Sequence, residues 1–251
     1  MSCFSRPSLA AAVVLTAATV SPVLAPASAG SAVESVRRPA VIGTRVIGHS
    51  VKGRAIRAWH LGHRHRTKVV LLAAMHGNET APRRILWNLR DGAPVRGINL
   101  WVVPTYNPDG VARGTRQNAR HVDLNRNYPF KWAHLSGSYY SGTKPASEPE
   151  TRAVMRFLSD VKPAYVLSFH QPFHSVDLNN ERPAFSRRVA RALHLPTENL
   201  DCGGSCHGTM TQWYNHRFKG FALTVEYGAH PGVARMRRAA NQVLGIFDAR
   251  R

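Results

Sequence analysis

Four continuous apolar runs frame the chain, at residues 69–75, 100–103, 165–169 and 221–225. Runs of this length without polar alternation suit strands buried on both faces of a sheet. Apolar residues recur at helical spacing over 80–89, 148–158, 184–193 and 233–247. Ahead of them, residues 45–50 and 55–61 alternate, and Lys52-Gly53 between them predicts a hairpin turn. The basic stretch 62–67 reads as a loop, with His63 and His65 solvated. Buried strands alternating with amphipathic helices predict an α/β single domain whose twisted sheet is covered by helices on both faces.

The amino-terminal segment has a different pattern. Arg6 gives a short positive start, residues 9–20 are an Ala/Val/Leu run, and Ala27-Ser28-Ala29 fits a small-residue cleavage site. This predicts a secretory signal over 1–29, a flexible lead-in over 30–45 and a folded domain over 46–251. The apolar run is short and followed by Pro22 and Pro26, which argues against a membrane span, and no later segment is apolar for long enough. The mature protein is therefore expected to be secreted or extracytoplasmic, in the cell wall or periplasm. Cleavage removes Cys3 and leaves Cys202 and Cys206, which are expected to form a disulfide in an oxidising compartment. A zinc site on that pair with His207 is the alternative, but structural zinc normally takes four ligands.

Composition narrows the partners. With 43% apolar residues in 251, the chain can bury a sizeable core, which excludes wholesale disorder. The 34 Lys+Arg outnumber 14 Asp+Glu, for a formal charge of +20. Such a balance favours an acidic partner, either nucleic acid or an anionic cell envelope. Basic stretches interleaved with aromatics are missing, so export and the envelope are preferred and nucleic acid is not expected. Thirteen histidines direct attention to a metal site.

In covered sheets chemistry collects just past the carboxyl ends of the strands. After the first apolar run comes His76-Gly-Asn-Glu79; after the second, Pro104 to Gly110; after the third, His170-Gln-Pro; at the end of the fourth, Glu226-Tyr-Gly. A His-x-x-Glu pair is weak by itself. With His170 at another strand end it becomes a His2Glu set, whose open fourth position is the catalytic zinc arrangement. Taken alone, His170 reads as a core histidine held by a backbone partner. Glu226 ends a very apolar strand, where a carboxylate is costly unless paired or used. It is either a general base beside the metal or half of an ion pair with an arginine. Residues 115–128, rich in Arg and Asn, are either a solvated basic loop or a clamp for a substrate carboxylate.

Six segments in order resemble the zinc metallocarboxypeptidases of the carboxypeptidase A superfamily: His76-x-x-Glu79, Asn107-Pro-Asp-Gly110, Asp123-Leu-Asn-Arg-Asn127, Ser147-Glu-Pro-Glu-Thr151, His170 and Glu226. The resemblance implies a mixed sheet of about eight strands with helices on both faces. It implies one Zn2+ held by His76, Glu79 and His170, and Glu226 as general base and acid. Arg116 would stabilise the oxyanion, while Asn125 and Arg126 would grip the terminal carboxylate of the released residue.

The chain departs from digestive members of that family. The region of their mobile tyrosine is Cys202-Gly-Gly-Ser-Cys206 here, and Asn78 stands where they carry arginine. Thr211 aligns with the position that sets their specificity. These features resemble the bacterial branch of murein tripeptide amidases, also described as murein peptide carboxypeptidases. The implied substrate is the γ-D-glutamyl-diaminopimelate amide of murein peptides, and Asp177, Glu181 and Asp201 are candidates to meet its ammonium. An ordinary metallocarboxypeptidase, or another amidase on carboxylate-ended substrates, is the alternative enzyme. A non-catalytic cationic wall-binding module is the alternative of another class.

Overall fold

Side chains of successive residues alternate between two apolar layers along the central strands. Val69, Leu71 and Ala73 face one layer, whereas Val70 and Leu72 face the other. This is what a sheet covered on both sides requires. The structure, a computed structural model, describes residues 39–251. The expected signal at 1–29 and residues 30–38 of the expected lead-in lie outside the described residues.

In chain order the elements are β1 (Val41–His49), β2 (Ala55–Gly62), β3 (Lys68–Ala73), α1 (Arg83–Arg90), β4 (Asn99–Val103), α2 (Pro108–Arg113), α3 (Pro149–Val161), β5 (Tyr165–His170), β6 (Phe173–Asp177), α4 (Pro183–Leu193), β7 (Thr197–Glu198), α5 (Met210–Arg217), β8 (Phe221–Gly228) and α6 (Val233–Gly245). Eight strands form one sheet in the order β1-β2-β4-β3-β5-β8-β6-β7. The central β4-β3-β5-β8 block is parallel, and β1, β2 and β6 join it antiparallel to a neighbour. The expected mixed α/β sheet of about eight strands is thus the observed one.

Helices α1, α4 and α6 cover one face, through residues such as Leu86, Val189 and Met236. Helices α3 and α5 cover the other, through residues such as Phe157 and Tyr214. Among the described residues no helix is long and apolar enough to cross a membrane.

The strand and helix expectations locate ten elements, and the hairpin between β1 and β2 forms with Gly53 at a φ of 75°. His63 and His65 are exposed, as expected. Four elements lie where the pattern predicted none: β6, β7, α2 and α5. Strand β1 also begins at Val41, inside the segment read as a flexible lead-in. Its register shifts at Val41/Gly43 and again at Val46/Gly48, so its early residues do not alternate cleanly.

Candidate active site

The carboxyl ends of the parallel strands open into a cavity of about 720 Å³. Its lining includes His76, Glu79, His170 and Glu226. His76 and Glu79 sit on the turn between β3 and α1, closed by a hydrogen bond from the Glu79 N–H to the His76 carbonyl at 3.1 Å. Gly77 lets this turn lie directly on α2. A Cβ at Gly77 would stand 2.0 Å from the Gly110 carbonyl carbon, too close for any side chain. Asn107 fixes the same junction. Its amide donates to the Met75 carbonyl at 3.2 Å, and its oxygen accepts from the Gly110 N–H at 2.8 Å. Sequence pattern therefore becomes site geometry through the backbone of the 107–110 segment.

Three donor atoms converge. His76 Nδ1 is 2.7 Å from Glu79 Oε1, His170 Nδ1 is 2.9 Å from Glu79 Oε2, and the two Nδ1 atoms are 3.3 Å apart. All three residues are buried, and they form the one cluster of metal-ligating type found among the described residues. Two nitrogens and a carboxylate that close together match the donor set of a catalytic zinc site. Each imidazole is also oriented from behind. His76 Nε2 meets Asp123 Oδ1 at 3.0 Å, and His170 Nε2 meets Ser168 Oγ at 2.9 Å. Such outer partners fix the ring and leave Nδ1 for the cation.

The electrostatics fit that reading. Burial alone would lower the His76 pKa, but the carboxylates of Glu79 and Asp123 outweigh it and hold it up at about 9. Burial also opposes ionisation of Glu79, yet the neighbouring imidazoles keep its carboxyl well below the usual range. Burial lowers the His170 pKa. A site built to receive a positive charge explains one carboxylate held ionised between two imidazoles.

Glu226 pairs in register with His170 on the adjacent parallel strand, so the two side chains share a face. Its Oε2 is buried without a hydrogen-bond partner. Burial and then the Glu79 carboxylate push its pKa up to about 8. No arginine forms an ion pair with it among the described residues, which removes the ion-pair reading.

The Arg/Asn segment is organised as well. Arg116 donates from Nε and Nη2 to Asp123 Oδ2, at 3.0 and 2.8 Å, and Nη1 lies 3.4 Å from Glu79 Oε1. Asn125 accepts from the Met210 N–H at 3.0 Å, while Arg126 Nη1 donates to the Asn125 carbonyl at 2.8 Å and its Nε is buried unpartnered. The guanidinium groups of Arg116 and Arg126 both lie over the Tyr139 ring, at 5.2 and 4.9 Å from its centroid. Arg116, Asn125, Arg126 and Thr211 all line the cavity. The solvated-loop reading therefore fails for these three polar residues. Glu148 and Glu150, by contrast, serve the scaffold: both accept from the Asn118 amide, at 2.7 and 3.1 Å.

A disulfide joins Cys202 and Cys206, and both residues border the cavity. The alternative of zinc on that pair is thereby excluded. Sequence reasoning quotes Asp123 and Gln171 only as parts of segments and gives Ser168 no role. Ser168 stands two residues before His170, on the same strand face, so the period of a strand was the available signal. Gln171 ties the site together by accepting from the Ala81 N–H and donating to the Gly228 and Ala229 carbonyls.

The zinc carboxypeptidase family profile matches residues 34–173 of this chain. The chain belongs to the zinc carboxypeptidase family. It is a hydrolase of that family, and the match takes in all three metal-type donors. Murein peptide amidase A of Escherichia coli K12 is 31% identical over 169 residues, covering 61% of this chain and 69% of that protein. The solved structure of murein-tripeptide amidase MpaA from Escherichia coli O157 superposes with a TM-score of 0.64 at 27% identity, covering 82% of this chain and 90% of that one. Carboxypeptidase A from Helicoverpa armigera shares the fold, with a TM-score of 0.65 at 17% identity over 84% of this chain and 68% of that one. Glu226 lies beyond the profile match, and its place in this zinc carboxypeptidase rests on the register with His170.

Proposed function

We propose that this chain is an exported zinc peptidase that hydrolyses the amide before a carboxylate-ended residue, with γ-D-glutamyl-diaminopimelate in murein peptides as substrate. The observation that carries the reading is Glu226: a buried carboxyl with an unpartnered oxygen, in register with His170 and in one cavity with Asn125 and Arg126. Similarity to the two Escherichia coli murein amidases supports the substrate. The net charge of +20 supports attraction to an anionic cell envelope.

His76, Glu79 and His170 would hold the ion. When bound, zinc supplies a Lewis acid that makes water a nucleophile near neutral pH and polarises a carbonyl. The residues of the chain do the rest. Arg126 and the Asn125 amide would bind the terminal carboxylate and so set the scissile carbonyl between Arg116 and Glu226. Arg116 donates to the carbonyl oxygen as charge grows there. Glu226 takes the proton of the attacking water as the C–O bond forms. It returns that proton to the amine nitrogen as the C–N bond breaks, so an acid and an amine leave. A carboxyl whose pKa burial raises toward neutrality is suited to both halves of this transfer.

Mass analysis of products from zinc-loaded protein and L-Ala-γ-D-Glu-diaminopimelate tests the reading. Release of diaminopimelate is expected, with slower cleavage of simple peptides. Equal or faster cleavage of simple peptides would make the chain a general carboxypeptidase. No cleavage of any of them, with wall binding retained, would make it a binder.

A further inference from the structure

The cavity holds a second feature, formed where β6 lies against β8. Ser175 pairs with Glu226 and Val176 with Val225, antiparallel. Continuing that register sets Asp177 opposite Thr224. Val176 and Val225 belong to the apolar layer behind the sheet, so Ser175, Asp177, Thr224 and Glu226 all point to the cavity side. Asp177 stands two strand positions from Ser175, which places it about 7 Å further along the sheet than the Glu226 position. Both Asp177 and Thr224 line the cavity.

The Asp177 carboxylate is held but not neutralised. Oδ1 accepts from the Asn179 N–H at 2.8 Å and the Leu200 N–H at 3.2 Å. These bonds fix the group, while Oδ2 has no hydrogen-bond partner among the described residues. Nor does any Lys, Arg or His of the described residues pair with Asp177, in a chain carrying 34 Lys and Arg. Burial raises its pKa, and the two backbone N–H groups oppose this only in part. The other two acidic candidates differ. Glu181 is exposed, and Asp201 is exposed and caps the Gly203 N–H at 2.9 Å. The same cavity presents Arg116 and Arg126, so it holds fixed cations together with a half-buried carboxylate that no cation of the described residues pairs.

We infer that Asp177 is the specificity-determining residue of the pocket for the released side chain, and that it receives an ammonium borne on a short aliphatic spacer. The inference rests on the peptidase reading above and deepens it. The terminal carboxylate would be held at Asn125 and Arg126, and the side chain would run along β8 past Thr224 to Asp177. A substrate cation there supplies the partner that the chain withholds. Diaminopimelate and lysine share this chemistry, whereas norleucine has the spacer without the charge.

The test compares wild type with Asp177→Asn, both zinc-loaded, on peptides ending in diaminopimelate, lysine and norleucine. For the variant, kcat/KM on the two ammonium-bearing peptides is expected to fall by about tenfold to a hundredfold, carried by KM. The norleucine peptide should be unchanged or improved. Glu181→Gln should leave all three unchanged. Calorimetry with N-acetyl-lysine and N-acetyl-norleucine reads the pocket without turnover, and wild type should bind the first more tightly, a preference that Asp177→Asn abolishes. Equal binding of the two acids by wild type, or a loss in Asp177→Asn that strikes all three peptides alike, overturns the inference. Retained preference in binding with no hydrolysis of any peptide would instead overturn the peptidase reading and leave the pocket assignment standing.

Discussion

His76 Nε2 lies 3.0 Å from Asp123 Oδ1, and the same carboxylate takes two hydrogen bonds from Arg116 through its other oxygen. Asp123 is fully buried and stands 47 residues from the histidine it orients. One side chain thus links a histidine of the metal-type cluster to Arg116. Asp123→Asn should weaken zinc binding by about 10- to 100-fold, the usual effect of losing such a partner. Competition against a chromogenic chelator measures it, and circular dichroism checks that the fold persists.

Zinc affinity should depend on pH in a defined direction. The Glu79 and Asp123 carboxylates hold the His76 pKa up at about 9 against burial, so below that pH a proton competes with the cation for the imidazole. The carboxyl of Glu79 is already ionised, and burial favours neutral His170, so neither adds a competing proton near neutrality. Apparent affinity should rise by about tenfold per pH unit from 6 toward 9 and then level off. Calorimetric titrations at several pH values, in buffers of differing ionisation heat, should also count about one proton released.

Glu226→Gln should retain one zinc per chain and lose about 10²- to 10⁴-fold in kcat, because the substitution removes the proton carrier and no metal donor. Zinc content by mass spectrometry, together with turnover of the tripeptide, separates the two effects. A variant with both low zinc and low activity would point to a structural role instead.

Gly77→Ala should destabilise the protein by about 1–3 kcal/mol or more, because the new methyl meets the Gly110 backbone. The site should suffer with it, since that contact seats the turn carrying His76 and Glu79. Thermal unfolding and zinc affinity are expected to fall together.

The strands that deliver the metal-type residues were legible because they are buried on both faces and therefore read as unbroken apolar runs. Strand ends then pointed to His76, His170 and Glu226 without any coordinates. What stayed hidden has physical causes. Helix α2 is a six-residue turn containing Pro108 and Gly110, formed through the Asn107 cap and not through an apolar stripe. Helix α5 carries polar residues on the cavity side, Thr211 and Gln212 among them, which dilutes its amphipathic pattern. Strand β6 has five residues, with exposed Phe173 and His174 ahead of buried Ser175, the reverse of the expected order. Because β6 was hidden, three acids remained equal candidates for the ammonium, and only the register with β8 distinguishes Asp177. Convergence of Arg116, Glu79 and His76 on one another likewise needs the fold, since residues 76–123 are brought together by β4 and its loop.

X-ray absorption at the zinc edge, on the zinc-loaded protein and on His76→Ala, tests the central claim most directly. The account predicts one zinc per wild-type chain, with nitrogen and oxygen donors at about 2.0–2.1 Å and no sulfur, and loss of that ion in the variant. A sulfur shell at about 2.3 Å, or undiminished zinc in His76→Ala, would contradict it.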